Sequence, residues 1–495
     1  MLRHILKSAS IILGATIFST ILGYIFKIII AQKDIELYGL YSLTYSIILF
    51  LVPIVVLGLN IGILKYSAHY KGKNNKDREN IAISTSLKIV SIFSIMVSLI
   101  IFFFSNFISS FFKLDISHSL KLFSPLVFIL SISALFFSIL ISNKKIKELA
   151  LSKNIIQSLL ELLILITILF FALNISGIAL ALILSNLIML ALVYYFSKNS
   201  FKIQRGFDKS LVIFSLSTAF IFIIADLLTK IDTIILGHFV NLREIAMYNV
   251  AMPTAQTLIL ISIALLSVFL PTISEKHSKN QSIKTEYKKT FHWILLLTIP
   301  LAVLLIVFSK KVIEIFFGTN YYLASIPLSI LAATLLVFSL SRPSFNVLLM
   351  LNKTKTLIKI SGLIIIIDII LNFILIPISI KYCQNGIYGA SIATGISFII
   401  LSILTMKYAK KYTKISLFDK TTFKIALSGI LASIPLIIIK SIVKNQNLLE
   451  IIIYLILFGI IYISCLFVLK CFDEEDKKIY LAIKGKRKVG VEPTS

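Results

Sequence analysis

Acidic residues are scarce: 22 Asp and Glu stand against 49 Lys and Arg, and charged residues of both signs make up only 14% of the 495-residue chain. Soluble domains ordinarily carry about a quarter, so a soluble globule is excluded. Cysteine is limited to Cys383, Cys465 and Cys471, with no CxxC pair, which removes a disulfide framework and a thiol redox motif. The chain has no GxxxxGK[ST], no HExxH and no GxGxxG, and its six His are scattered without ligand spacing. Nucleotide hydrolysis at a phosphate loop and a catalytic zinc are therefore not expected, nor is any cofactor. The positive excess would suggest nucleic acid in a soluble protein; here it lies in short loops between apolar runs, so no nucleic-acid partner is expected.

What the chain does have is lipid-compatible length. Apolar residues make up 58% of it, and the mean hydropathy is +0.99. A bilayer core of about 30 Å takes about 20 apolar residues per helix. Runs long enough fall near 8–31, 40–64, 81–104, 120–141, 155–173, 176–197, 210–237, 245–271, 290–309, 324–350, 357–380, 386–406, 422–440 and 448–470. The expected fold class is an all-α polytopic membrane protein with fourteen helices, the first read as retained rather than as a cleaved signal. Alternate loops then hold 36 Lys and Arg on one side and 9 on the other, with Lys27, Lys88, Lys230 and Arg342 inside helices. By the positive-inside bias, both termini are expected in the cytoplasm of a cell-membrane protein.

An internal repeat organises the runs. Gly177-Ile178-Ala179-Leu180-Ala181 matches Gly386-Ile387-Tyr388-Gly389-Ala390 at an offset of 209, and Gly39-Leu40-Tyr41 matches Ala246-Met247-Tyr248 at 207. Nearly one offset at two places points to duplication of helices 1–6 into 7–12, giving parallel repeats around a central cavity. The expected units are 1–200 and 201–412 as two six-helix lobes, 413–472 as two added helices and 473–495 as a basic tail.

Ionisable groups inside a bilayer are costly and mark cavities or partners. Asp226 and Lys230 are spaced i, i+4 in helix 7, the favoured order for an ion pair, and Asp232 either caps that helix or binds a cation. Arg342 precedes Pro343, whose ring frees the Ser339 carbonyl and kinks helix 10. Asn346 lies one turn on, so a phosphate pocket and an interhelical pair with Glu161 or Asp368 are both open. Asp368 and Glu161 are candidates for protonated, paired or ion-coupled carboxylates, and with Asp226 and Asp232 they are the candidate sites of a coupling ion, H⁺ or Na⁺. Gly58-Leu59-Asn60-Ile61-Gly62 reads as a close-packing GxxxG.

The stretches Tyr38-Gly39-Leu40-Tyr41, Lys230-Ile231-Asp232-Thr233-Ile234-Ile235-Leu236-Gly237 and Leu371-Asn372-Phe373-Ile374-Leu375-Ile376-Pro377, in this order and followed by Gly386-Ile387-Tyr388-Gly389, resemble polysaccharide flippases. These form a branch of the multidrug, oligosaccharidyl-lipid and polysaccharide exporter superfamily. The sequence departs from the pattern at Ala246 and in the longer segment between Pro377 and Gly386. The resemblance implies a two-lobed fold and a non-enzymatic secondary transporter that flips a lipid-linked oligosaccharide or polysaccharide unit on a polyprenyl phosphate or diphosphate. It places Lys27 where such flippases often carry an Arg, and so implies a basic cavity of Lys27, Lys230 and Arg342. Its expected partners are the lipid-linked glycan, membrane lipids and glycan-assembly enzymes, with the chain a monomer. The alternatives are a cation-coupled multidrug exporter of the same fold and a membrane glycosyltransferase or polymerase; the latter usually needs a larger outer loop with catalytic groups than the short ones here.

Overall fold

A computed structural model describes residues 2–170, 174–279, 281–442 and 448–472; within them the side chains of 2–11 and 220–229, among others, are not described. Among the described residues the chain is helical, with no strand. Fourteen long helices follow the apolar runs in order: α1 (Leu2–Lys33), α2 (Ile35–Gly72), α3 (Lys76–Phe103), α4 (Ser117–Ser142), α5 (Ile146–Leu169), α6 (Ile175–Ser200), α7 (Lys209–Phe239), α8 (Leu242–Ser278), α9 (Lys284–Val307), α10 (Ser325–Met350), α11 (Thr354–Cys383), α12 (Gly386–Thr413), α13 (Lys420–Ile442) and α14 (Leu448–Val468). Twelve of them offer, within their described residues, a stretch long and apolar enough to cross a membrane; α7 and α14 fall outside that set. The chain is a multi-pass membrane protein.

Neighbouring helices run antiparallel through short turns, several capped in the ordinary way. Asp34 accepts from the Leu37 N–H at 2.8 Å before α2, Asn174 from the Gly177 N–H at 2.8 Å before α6, and Asn385 from the Ile387 N–H at 3.1 Å before α12. These oxygens satisfy N–H groups that a helix start leaves open. The segment between Pro377 and Gly386, longer than the pattern led one to expect, is helix: α11 continues to Cys383 and closes on Gln384 in the left-handed region.

Within the first six helices, α6 packs on α4 and α5, and α3 packs on α4; within the next six, α12 packs on α10 and α11, and α8 on α10. The two groups meet along α2, which touches both α7 and α8, while α13 packs on α9. The GxxxG of α2 is a seam of this kind. Gly58 has φ +69° where the helix breaks, and a Cβ there would lie 2.6 Å from the Ser215 carbonyl oxygen of α7; one on Gly62 would lie 2.1 Å from the Ser215 hydroxyl. Only glycine lets the backbones come this close.

The seam is tightest at the Lys-poor end. Tyr38 donates to the Asn249 carbonyl at 2.9 Å, Gln32 to the Phe316 carbonyl at 2.8 Å and Tyr321 to the Ala31 carbonyl at 2.9 Å. Gly39 lies directly against the Leu242 backbone. Deeper in, Tyr24 of α1 shares a 2.6 Å hydrogen bond with Thr254 of α8. The expected kink at Pro343 also has its consequence on view. The freed Ser339 carbonyl accepts from the Ser262 hydroxyl of α8 at 3.1 Å, which supplies the bond that proline cannot.

Candidate functional site

The polar residues singled out inside the helices resolve into two clusters and one outlier. The first cluster lies among the first six helices and α7. Lys27 of α1 has Lys230 of α7 and Glu161 of α5 as the charged groups acting on it, and the same Glu161 faces Tyr41 and Tyr45 of α2. Counting 1.5 Å per residue from the helix ends, Lys27 sits roughly 9 Å and Lys230 roughly 14 Å below the Lys-poor end. Two cations and one carboxylate, each half-buried, are thus electrostatic neighbours below the seam. Asp226 lies outside the residues whose side chains are described.

Lys230 also borders a cavity of about 290 Å³ whose walls include Pro53, Phe137, Lys153, Gln157 and Asn186. Lys153 is the residue that sequence reasoning missed. The lysine-rich stretch before it reads as a loop, whereas the chain is already helical from Ile146 and passes through a π-helical segment, Ala150–Ile156, with Lys153 at its centre. Such wide turns recur at functional sites. The signal available in sequence was the apolar spacing of Ile146, Leu149 and Ala150, one turn ahead of the continuous run.

The second cluster lies among α7, α8, α11 and α12. Asp232, 1% exposed, is no helix cap, since α7 runs on to Phe239. Its Oδ2 accepts from Tyr248 at 2.8 Å and from Thr394 at 2.9 Å, and its Oδ1 accepts from Asn372 Nδ2 at 3.0 Å. Asn372 also donates to the Asp368 carbonyl at 3.0 Å. Asp368 is equally buried, with Ser397 and Asp232 beside it. Yet neither of its carboxyl oxygens, nor Asn372 Oδ1, has a hydrogen-bond partner among the described residues. Buried oxygens without donors are rare and demand an explanation. Two carboxyls, an amide oxygen and a hydroxyl form the oxygen-rich set that hard cations prefer, so the residues present fit a small cation.

Arg342 stands apart from both clusters. It lies roughly 25 Å from the Lys-poor end by helical rise, with its guanidinium over the Phe338 ring at 5.9 Å and its Nε without a partner among the described residues. It forms no ion pair with Glu161 or Asp368. Asn346 donates back to the Arg342 carbonyl at 3.0 Å. Lys27 and Lys230 are therefore brought together, as are Asp232, Asp368 and Asn372, while among the described residues Arg342 and Asn346 share no hydrogen bond or ion pair with either group.

Comparison with known proteins agrees with this architecture. The lipid II flippase MurJ, in an inward closed conformation, superposes with a TM-score of 0.74 at 18% identity over 95% of this chain and 98% of that one. A multidrug resistance MATE family transporter in an inward-facing conformation gives 0.66 at 14% identity over 82% and 98%. These likenesses show the fold. In sequence, an uncharacterized membrane protein of Methanocaldococcus jannaschii is 30% identical over 49% of this chain and 47% of its own. A probable low-salt glycan biosynthesis flippase of Haloferax volcanii is 29% identical over 37% and 38%. The matches thus span half or less of the length of these curated relatives. Those similar proteins that carry a named activity are flippases or transporters. A family model described as polysaccharide biosynthesis protein matches residues 34–327, more than half of the sequence, and with the fold in view the chain belongs to that family.

Proposed function

We propose that the protein carries a lipid-linked glycan across the cell membrane by alternating access, with its Lys-rich end and both termini in the cytoplasm. The observation that carries this reading is the charge cluster of Lys27, Lys230 and Glu161 beneath a seam held by hydrogen bonds at the Lys-poor end. An amphipathic anion entering from the Lys-rich side would have its phosphate neutralised by Lys27 and Lys230 while its tail stays in lipid between residues 1–200 and 201–412 acting as two lobes. Arg342, deeper towards the Lys-rich end, would meet the head group earlier on the same path. Asp232, Asp368, Asn372 and Thr394 would hold a coupling cation, whose binding removes the repulsion between the two carboxylates. A basic cluster disfavours cationic drugs, which argues against the multidrug exporter. The protein acts as a monomer beside the enzymes that assemble the glycan.

The test is glycan export in a flippase-deleted host, normalised to membrane abundance. Lys27→Ala and Lys230→Ala should abolish export, and Arg342→Lys should lose most of it if the guanidinium grips phosphate bidentately. Wild-type export by all the Ala variants, Arg342→Ala included, would remove the anion-translocation mechanism.

A further inference from the structure

Resting on that flippase reading, we infer that Lys153, with Gln157 and Asn186, forms a separate phosphate-binding subsite nearer the Lys-rich end than the Lys27–Lys230 pair. Lys153 lies seven residues into α5, roughly 10 Å from that end and a further 10 Å or so along the path from Lys230. Its side chain is exposed and lines the cavity that Lys230 also borders. The ammonium stands 4.7 Å from the centre of the Phe137 ring, a contact that orients a cation while neutralising none of its charge. Among the described residues no carboxylate lies within ion-pair distance of it, in contrast to Lys71 and Lys76, which share the buried Glu79.

The neighbouring amides complete the site. Gln157 donates to Asn186 Oδ1 at 3.1 Å, and Asn186, almost fully buried, donates to the Leu182 carbonyl at 2.8 Å. Each primary amide carries two N–H groups, so one on each remains beyond these bonds. A full positive charge, two amides and an aromatic wall in a concave, low-dielectric space focus an attractive field on anions. The π-helical turn is what supplies the position: it widens α5 at Ala150–Ile156 while Asn154, next in sequence, reaches the Thr16 hydroxyl of α1 at 3.1 Å. One side of the widened turn holds α1, and the other presents Lys153 to the cavity. The ligand class is a phosphate or diphosphate group, on a polyprenyl lipid or free.

The experiment uses the full chain in lipid nanodiscs and measures binding of farnesyl diphosphate, farnesol and inorganic diphosphate. Lys153→Met should weaken farnesyl diphosphate by about tenfold or more, the usual worth of one charge-assisted contact. Lys153→Arg should retain binding, and Lys147→Met, exposed outside the cavity, should match wild type. Lys153→Gln replaces the Met variant should that one not fold. Competition by inorganic diphosphate as strong as by the farnesyl ester identifies the free anion as the ligand; weaker competition identifies the lipid head group; both keep the subsite. Undiminished binding in the neutral variants, or farnesol binding as tightly as its diphosphate, overturns it. Export in cells is read separately. A wild-type protein that binds diphosphate through Lys153 but restores no export sinks the flippase reading and leaves the subsite standing, whereas normal export with Lys153-independent binding does the reverse.

Discussion

Substituting Gly39 by Ala should open the Lys-poor end. A Cβ on Gly39 would lie 1.9 Å from the Leu242 carbonyl oxygen and 2.7 Å from its carbon, where ordinary contact begins at 3.4 Å. Both partners are backbone, so no side chain can swing aside, and α2 and the start of α8 must part by about 1.5 Å, the difference between 3.4 and 1.9 Å. A shift of that size takes the bond from Tyr38 to the Asn249 carbonyl, 2.9 Å long, out of hydrogen-bonding range. Losing it costs about 1 kcal/mol with Tyr38 buried, and the dispersion lost along the seam adds about 1 to 2 kcal/mol. A penalty of about 2 to 3 kcal/mol against the closed arrangement moves the balance between closed and open roughly 30- to 150-fold. The assay is maleimide labelling in proteoliposomes of a single cysteine at Ala246, a fully buried α8 position, with the three native cysteines replaced. Labelling from the Lys-poor side should accelerate in the Gly39→Ala background and not in Gly23→Ala, where an added Cβ meets nothing within 4 Å. Equal labelling rates in a folded Gly39→Ala protein would refute the view that this backbone contact holds the end shut.

Sodium should raise the thermal midpoint of the purified protein relative to choline, reaching about 2.7 kcal/mol at a hundred times the dissociation constant. Asp368→Asn should abolish that shift while leaving the protein folded; an unchanged shift in this variant removes Asp368 from any cation site. Asp419, ahead of α13, is pushed up by burial, but the hydrogen bond from Lys288 at 2.9 Å, the Thr422 N–H at 3.0 Å and the nearby His292 outweigh that and hold its carboxyl below the ordinary range. The stability it contributes is therefore complete above the unfolded carboxylate value near about 4 and fades as pH falls through the folded one. Asp419→Asn should lower the midpoint by an amount worth about 1 kcal/mol at pH 7, a gap that narrows in acid; a gap independent of pH would contradict the ion-pair origin.

How much of this was written in the chain differs between scaffold and site. Helix order was legible because lipid demands about 20 apolar residues per crossing, and a run such as 386–406 has no other use. The pairing of Asp232 with Asn372 and Thr394 was not, since residues 140 and 162 positions apart meet only after α7, α11 and α12 pack. Lys153 was hidden for a different reason. Charge density near Lys144, Lys145 and Lys147 looks like a loop, and hydropathy cannot distinguish a solvated turn from a helix wall lining a cavity. Arg342 shows a third kind of gap, because composition marks a buried cation without saying which neighbour it keeps.

The bond from Ser262 to the Ser339 carbonyl bears on which parts of the protein can flex. A proline within a helix ordinarily leaves a swivel, because the carbonyl one turn back is held by nothing along its own axis. Here that carbonyl is tied sideways to α8. Straightening or bending α10 at Pro343 would break the tie and strand a buried acceptor, so the two helices lose a degree of freedom together and behave as a braced strut. Motion between the halves is favoured at places without such a brace, and the break in α2 at Leu57–Gly58, where two successive residues take positive φ, lies on the seam itself.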